Sequence, residues 1–189
     1  MSYTFSRRDF MKYTALAAAA VAVSGSLTGC SNPNQPTGTV GSTLKPGGGI
    51  CEATLLSGDS KPTYNLTDKK LVCNFKIKSL IAGLQVSKGH FQVDVTGGEH
   101  PGSYNVNTHP TGVAAATFEL TGGNDATTKN QILPNVALTV TGIDLTDATN
   151  VAVRYCPKHS ADENGKDLYN DIYGTWDITD AIKDSIPTA

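Results

Sequence analysis

The residues best equipped for chemistry are four cysteines, Cys30, Cys51, Cys73 and Cys156, and four histidines, His90, His100, His109 and His159. One pair is close in sequence. Tyr155-Cys156-Pro157-Lys158-His159 sets a thiol and an imidazole three residues apart, ahead of a polar loop. A thiolate, two imidazoles and a weak axial donor make a copper electron-transfer set. His109, on an upstream loop, is the second imidazole on offer. The axial donor would have to be a glutamine or a backbone oxygen, because the only methionines, Met1 and Met11, stand at the extreme N-terminus. A surface loop or a disulfide explains Cys156 and His159 with fewer requirements. Zinc asks for paired Cys or His at fixed spacing, and the chain offers no such pairs.

Oxygen donors gather in Asp162-Glu163-Asn164-Gly165-Lys166-Asp167 and Asp171. The spacing of an EF-hand calcium loop is not met, and the run reads as a solvated loop. His90, His100 and His109 fall at expected strand ends and turns. There is no G-x-S-x-G elbow, and Gly47-Gly48-Gly49 does not precede a helix as a phosphate loop would. Tyr169, Tyr173 and Trp176 are a candidate aromatic platform, with core packing the plainer role. No catalytic residue, metal ligand or cofactor is assigned. An exported metal or redox protein using Cys156 and His159, and a hydrolase on a β-scaffold, are the alternatives to a non-catalytic domain.

The first thirty residues carry the strongest pattern. Arg7 and Arg8 stand in a polar segment ending at Lys12, followed by a weakly apolar run, Tyr13–Val23. A positive segment, a short apolar segment and small residues before a cut define a signal peptide. The run has 11 residues, whereas a membrane span needs roughly 20. Ser6-Arg7-Arg8-Asp9-Phe10-Met11-Lys12 closely resembles the twin-arginine translocation consensus, with Arg7, Arg8, Phe10 and Lys12 at its key positions and Met11 where Leu is commoner. Leu27-Thr28-Gly29-Cys30 resembles the lipobox of bacterial lipoproteins. These resemblances imply export through the twin-arginine translocase of a chain already folded, cleavage before Cys30, and a diacylglyceryl thioether on the Cys30 sulfur. They also imply a lipid-anchored protein on the extracytoplasmic face of a bacterial membrane.

Removing residues 1–29 leaves 160, one domain's worth. Arg7, Arg8, Lys12 and Asp9 go with them, so the 15 basic and 17 acidic side chains become 12 and 16, a net of −4. Nucleic-acid binding needs a basic stripe, so nucleic acid is not an expected partner, and neither is anionic lipid held by net charge. The expected partners are the translocase, the membrane through Cys30, and an envelope protein or ligand.

Residues 30–49 are rich in Pro, Gly, Ser and Thr and read as a flexible linker after the lipidated cysteine. Residues 50–189 show short strand patterns between turns. Leu71, Cys73, Phe75 and Ile77 alternate with mostly polar residues, the clearest period of two in the chain. Other strands are expected at Ile50–Leu56, at Phe91, Val93 and Val95, at Val113–Thr121, from Val136 to Thr141, at Val151, Val153 and Tyr155, and at Ile172–Ile178. Gly122-Gly123-Asn124-Asp125 marks a turn, and Thr179–Asp184 a helical turn with Thr179 or Asp180 as N-cap. The expectation is an all-β, immunoglobulin-like sandwich of about seven or eight antiparallel strands. Cys51, Cys73 and Cys156 are the disulfide candidates. A Cys73–Cys156 bridge would pin two sheets and, closing a loop of about 80 residues, contribute on the order of 4 kcal/mol. Cys51–Cys73 is the competing pair.

Overall fold

A computed structural model describes residues 35–123, 125–159 and 172–188. Thirteen strands follow in chain order: β1 (Thr37–Thr39), β2 (Thr43–Leu44), β3 (Cys51–Leu55), β4 (Thr63–Asn65), β5 (Lys70–Ser79), β6 (Leu84–Gln85), β7 (Phe91–Gly97), β8 (Gly102–Tyr104), β9 (Thr117–Thr121), β10 (Ile132–Thr141), β11 (Ala148–Tyr155), β12 (Lys158–His159) and β13 (Gly174–Asp177). They form one sheet in the order β2-β3-β5-β10-β9 and another in the order β1-β13-β11-β7-β8, with β12 and β6 paired separately. Lettering β3, β5, β7, β9, β10, β11 and β13 as A to G gives A-B-E-D on one sheet and G-F-C on the other. That is the immunoglobulin arrangement. Pairing is antiparallel except that β1 runs parallel to β13.

Alternation builds the interface. Along β5, Leu71, Cys73, Phe75, Ile77 and Ser79 are buried, and along β7, Phe91, Val93 and Val95. The rings of Phe75 and Phe91 meet at 5.4 Å. Phe75 also meets the edge of Trp176 at 5.4 Å, and Phe91 stacks on Tyr155 at 4.6 Å. Four aromatics from β5, β7, β11 and β13 thus lock the two sheets together. Aromatic pairs contribute about 0.5–1.5 kcal/mol beyond the area they bury.

Among the described residues no disulfide does this pinning. The side chains of Cys51, Cys73 and Cys156 are buried. Register explains why the two expected pairs fail. Cys51 lies opposite Ser79, six residues along β5 from Cys73, or roughly 20 Å at strand rise. A disulfide needs Cα atoms within about 7 Å. Cys73 sits mid-strand opposite Leu138, whereas Cys156 follows β11 at the end where Tyr155 pairs with Phe91.

The linker expected over 30–49 is folded from Gln35 onward. Thr37–Thr39 pairs with Thr175–Asp177, Thr43 and Leu44 pair with β3, and Pro46 and Gly47 are buried. Gly47 has φ +65°, and a Cβ there would come within 2.6 Å of Pro157. Proline and glycine here serve a tight turn rather than a loose tether. The C-terminal turn forms at Thr179–Ile182, but the hydroxyl of Thr179 accepts the Val151 N–H at 2.9 Å instead of capping.

Candidate functional site

One end of the sandwich gathers the start of β3, the end of β5, the start of β7 and the end of β11. There Tyr155 pairs with both Phe91 and Gly174, and the Gly47 N–H bonds to the Ile172 carbonyl at 2.7 Å. A pocket of about 120 Å³ opens at this end, lined by His90, Gln92, Asn105, Asn107, Cys156 and Tyr173 among others. Each lining group has a structural reason to be there. The Cys156 N–H donates to the His90 carbonyl at 2.9 Å, fixing the end of β11 against the start of β7. His90 Nδ1 accepts the Ser87 N–H at 3.3 Å, which fixes the ring over the turn before β7. Asn105 Oδ1 accepts the Asn107 N–H at 2.8 Å and shapes the turn between them.

A polar network supports the pocket from the outer face of the β7 sheet. Asp94 Oδ1 accepts from Gln92 Nε2 and from the Ser103 hydroxyl, both at 2.6 Å. Arg154 donates to Asp94 Oδ2 at 3.3 Å and to Gln35 Oε1 at 3.2 Å. Its guanidinium lies 4.3 Å over the Tyr173 ring, a cation–π contact. At the opposite end Lys69 Nζ holds Asp144, and Asp144 Oδ1 accepts the Thr146 N–H and hydroxyl.

Burial pushes the thiols of Cys51 and Cys73 well above their ordinary range, with Cys156 and Glu52 adding to the rise at Cys51. The thiolate is the reactive form, so both behave as inert core groups. At about 120 Å³ the pocket is below the roughly 300–1,000 Å³ of small-molecule sites. It suits one small polar group.

The sequence named Cys156, His90 and Tyr173 separately but not their pocket partners Gln92, Asn105 and Asn107; His90 precedes β7, Gln92 lies in it, and the asparagines follow β8. Nothing local in the sequence links them. Of the other expected residues, Trp176 is core, donating Nε1–H to the Ser42 carbonyl at 2.9 Å. Tyr173 lines the pocket, and the exposed His109 bonds to the neighbouring Pro110 carbonyl at 3.2 Å. His159 lies in β12, paired with Leu84. The export residues Arg7, Arg8, Phe10 and Lys12, the lipobox Leu27-Thr28-Gly29-Cys30, Tyr169 and the acidic run from Asp162 to Asp171 lie outside the described residues.

The fold defines an all-β sandwich, and the N-terminal segment defines its route. The family described as the TAT (twin-arginine translocation) pathway signal sequence matches residues 4–24. The chain is therefore exported across the cytoplasmic membrane and engages the twin-arginine translocase on the way. No curated protein and no solved structure matches it.

Proposed function

We propose that the chain is a lipid-anchored, non-catalytic binding or accessory domain on the extracytoplasmic face of the membrane. The observation that carries this reading is the lipobox-like Leu27-Thr28-Gly29-Cys30, which follows directly on the export signal matched at residues 4–24. Cleavage before Cys30 and acylation of its sulfur would leave a folded body on a short leash. Each buried CH₂ of an acyl chain contributes about 0.8 kcal/mol, and two or more chains hold durably where one does not.

The binding role is supported by how the titratable side chains are used. Asp94 and Arg154 on one sheet face, and Lys69 and Asp144 at a sandwich end, bond to one another and to backbone-bearing loops. They brace the fold. The pocket beside Cys156 is the recess through which a small polar group of a partner would be held. Cys30→Ala tests the anchor: the protein is expected to leave the membrane fraction for the soluble extracytoplasmic fraction and to stop incorporating labelled palmitate. Retention of the variant in membranes overturns the reading.

A further inference from the structure

We infer that the pocket-bearing end of the sandwich faces the lipid headgroups, so that the recess lined by His90, Asn105, Asn107, Cys156 and Tyr173 opens toward the bilayer surface. This rests on the lipid anchor proposed at Cys30.

The first part of the argument is covalent. Five residue steps separate Cys30 from Gln35. At about 3.3–3.6 Å per residue they reach no more than about 18 Å. The chain is tied down as soon as it meets the fold. Gln35 Oε1 accepts from Arg154, and the Pro36 carbonyl accepts the Thr175 N–H at 3.0 Å. The leash therefore begins at the start of β1, and no slack follows it.

The second part is strand direction. β1 runs parallel to β13, with Thr37 beside Thr175. β13 begins where β11 ends, at the Gly174–Tyr155 pair, and β11 ends where β7 begins, at Tyr155–Phe91. The chain thus enters at the end that holds the pocket. The ten-residue strand β5 spans about 34 Å at strand rise, close to twice the reach of the leash. The Lys69–Asp144 end therefore cannot be the one drawn to the anchor while the pocket end stands away.

Charge is secondary. Among the described residues the exposed Lys45, Lys88 and Lys129 and the half-buried Lys78 lie at or near this end, against Asp125 and Glu52, the last paired with Lys45 and Lys78. The leash sets the orientation, and a lipid surface of either charge is a sufficient occupant.

The test uses the full lipidated protein in vesicles of phosphatidylcholine carrying a headgroup-linked quencher. A fluorophore is placed at Lys88→Cys, on the pocket end, or at Lys183→Cys, beyond β13 at the other end, the native thiols being buried. Quenching is expected to be several-fold stronger at position 88. A flexible spacer of about 20 residues inserted after Pro33, adding about 25 Å of mean reach, is expected to erase the difference while the protein still sediments with the vesicles. Equal quenching at the two positions in the protein without the spacer, or stronger quenching at 183, overturns the orientation and leaves the anchor standing. Failure of that protein to sediment with vesicles at all sinks the anchor and the orientation together.

Discussion

The hydroxyl of Tyr155 is buried without a hydrogen-bond partner among the described residues, and burial, with Cys51 and Cys156 nearby, drives its pKa far up. A buried hydroxyl that makes no bond loses its water and gains nothing in return, at a cost of about 1–3 kcal/mol. The ring earns its place by stacking on Phe91. Tyr155→Phe is therefore expected to keep or raise the midpoint of thermal unfolding, by up to about 1 kcal/mol in stability, read by calorimetry on the mature domain. A clear loss of stability would mean that the hydroxyl has a partner. Arg154 is the opposite case. It joins Asp94, Gln35 and Tyr173 in one part-buried network. Arg154→Ala is expected to cost about 1–2 kcal/mol through the lost ion pair and cation–π contact, measured by denaturant midpoint.

The pairs that hold the elements together set a pH dependence. Asp144, in the loop between β10 and β11, is partly desolvated, which would raise its pKa. The Lys69 ammonium and the two donors of Thr146 outweigh that and hold the carboxyl down to about 2. A carboxylate depressed on folding adds stability above its unfolded value near 3.9 and loses that stability as the pH falls through the folded value. Stability should fall between about pH 4 and pH 2. Asp144→Asn should be less stable at neutral pH and should show a shallower fall across that window, followed by denaturant titration at stepped pH. The turn after β9 depends on a glycine in the same direct way. Gly122 has φ +69°, and a Cβ there would lie 2.0 Å from the Asn135 carbonyl. The turn signal in Gly122-Gly123 was readable from composition. The close approach of β10 that forbids a side chain was not.

Taken as a whole molecule, two sheets share one aromatic centre, and Trp176 joins it to the N-terminal strands through Ser42. Trp176→Leu is expected to cost about 3–5 kcal/mol, in the range of large core truncations, and to leave little folded protein at growth temperature. Because the translocase carries folded chains, that variant should also accumulate uncleaved in the cytoplasm. Arg7→Lys combined with Arg8→Lys should block export and leave the folded domain unaltered, which separates the two effects on an immunoblot of cell fractions.

The export route and the all-β class were legible in the chain because both are local patterns: a charged pair ahead of a short apolar run, and a period of two in segments such as Leu71–Ile77. That alternation marks strands and their buried face, not the A-B-E-D and G-F-C order, which pairing between distant strands sets. Three things lay beyond it. Residues 35–49 looked like a linker because Pro and Gly serve turns and tethers alike, and only Pro157 and Thr175 packing against them tells the two apart. The thiols looked like a disulfide because spacing along the chain carries no register, and register set Cys51 opposite Ser79. The pocket could not be seen at all, since His90, Asn105 and Cys156 meet only when β7, β8 and β11 pair. Local periodicity determines which elements form, whereas long-range pairing decides which residues become neighbours.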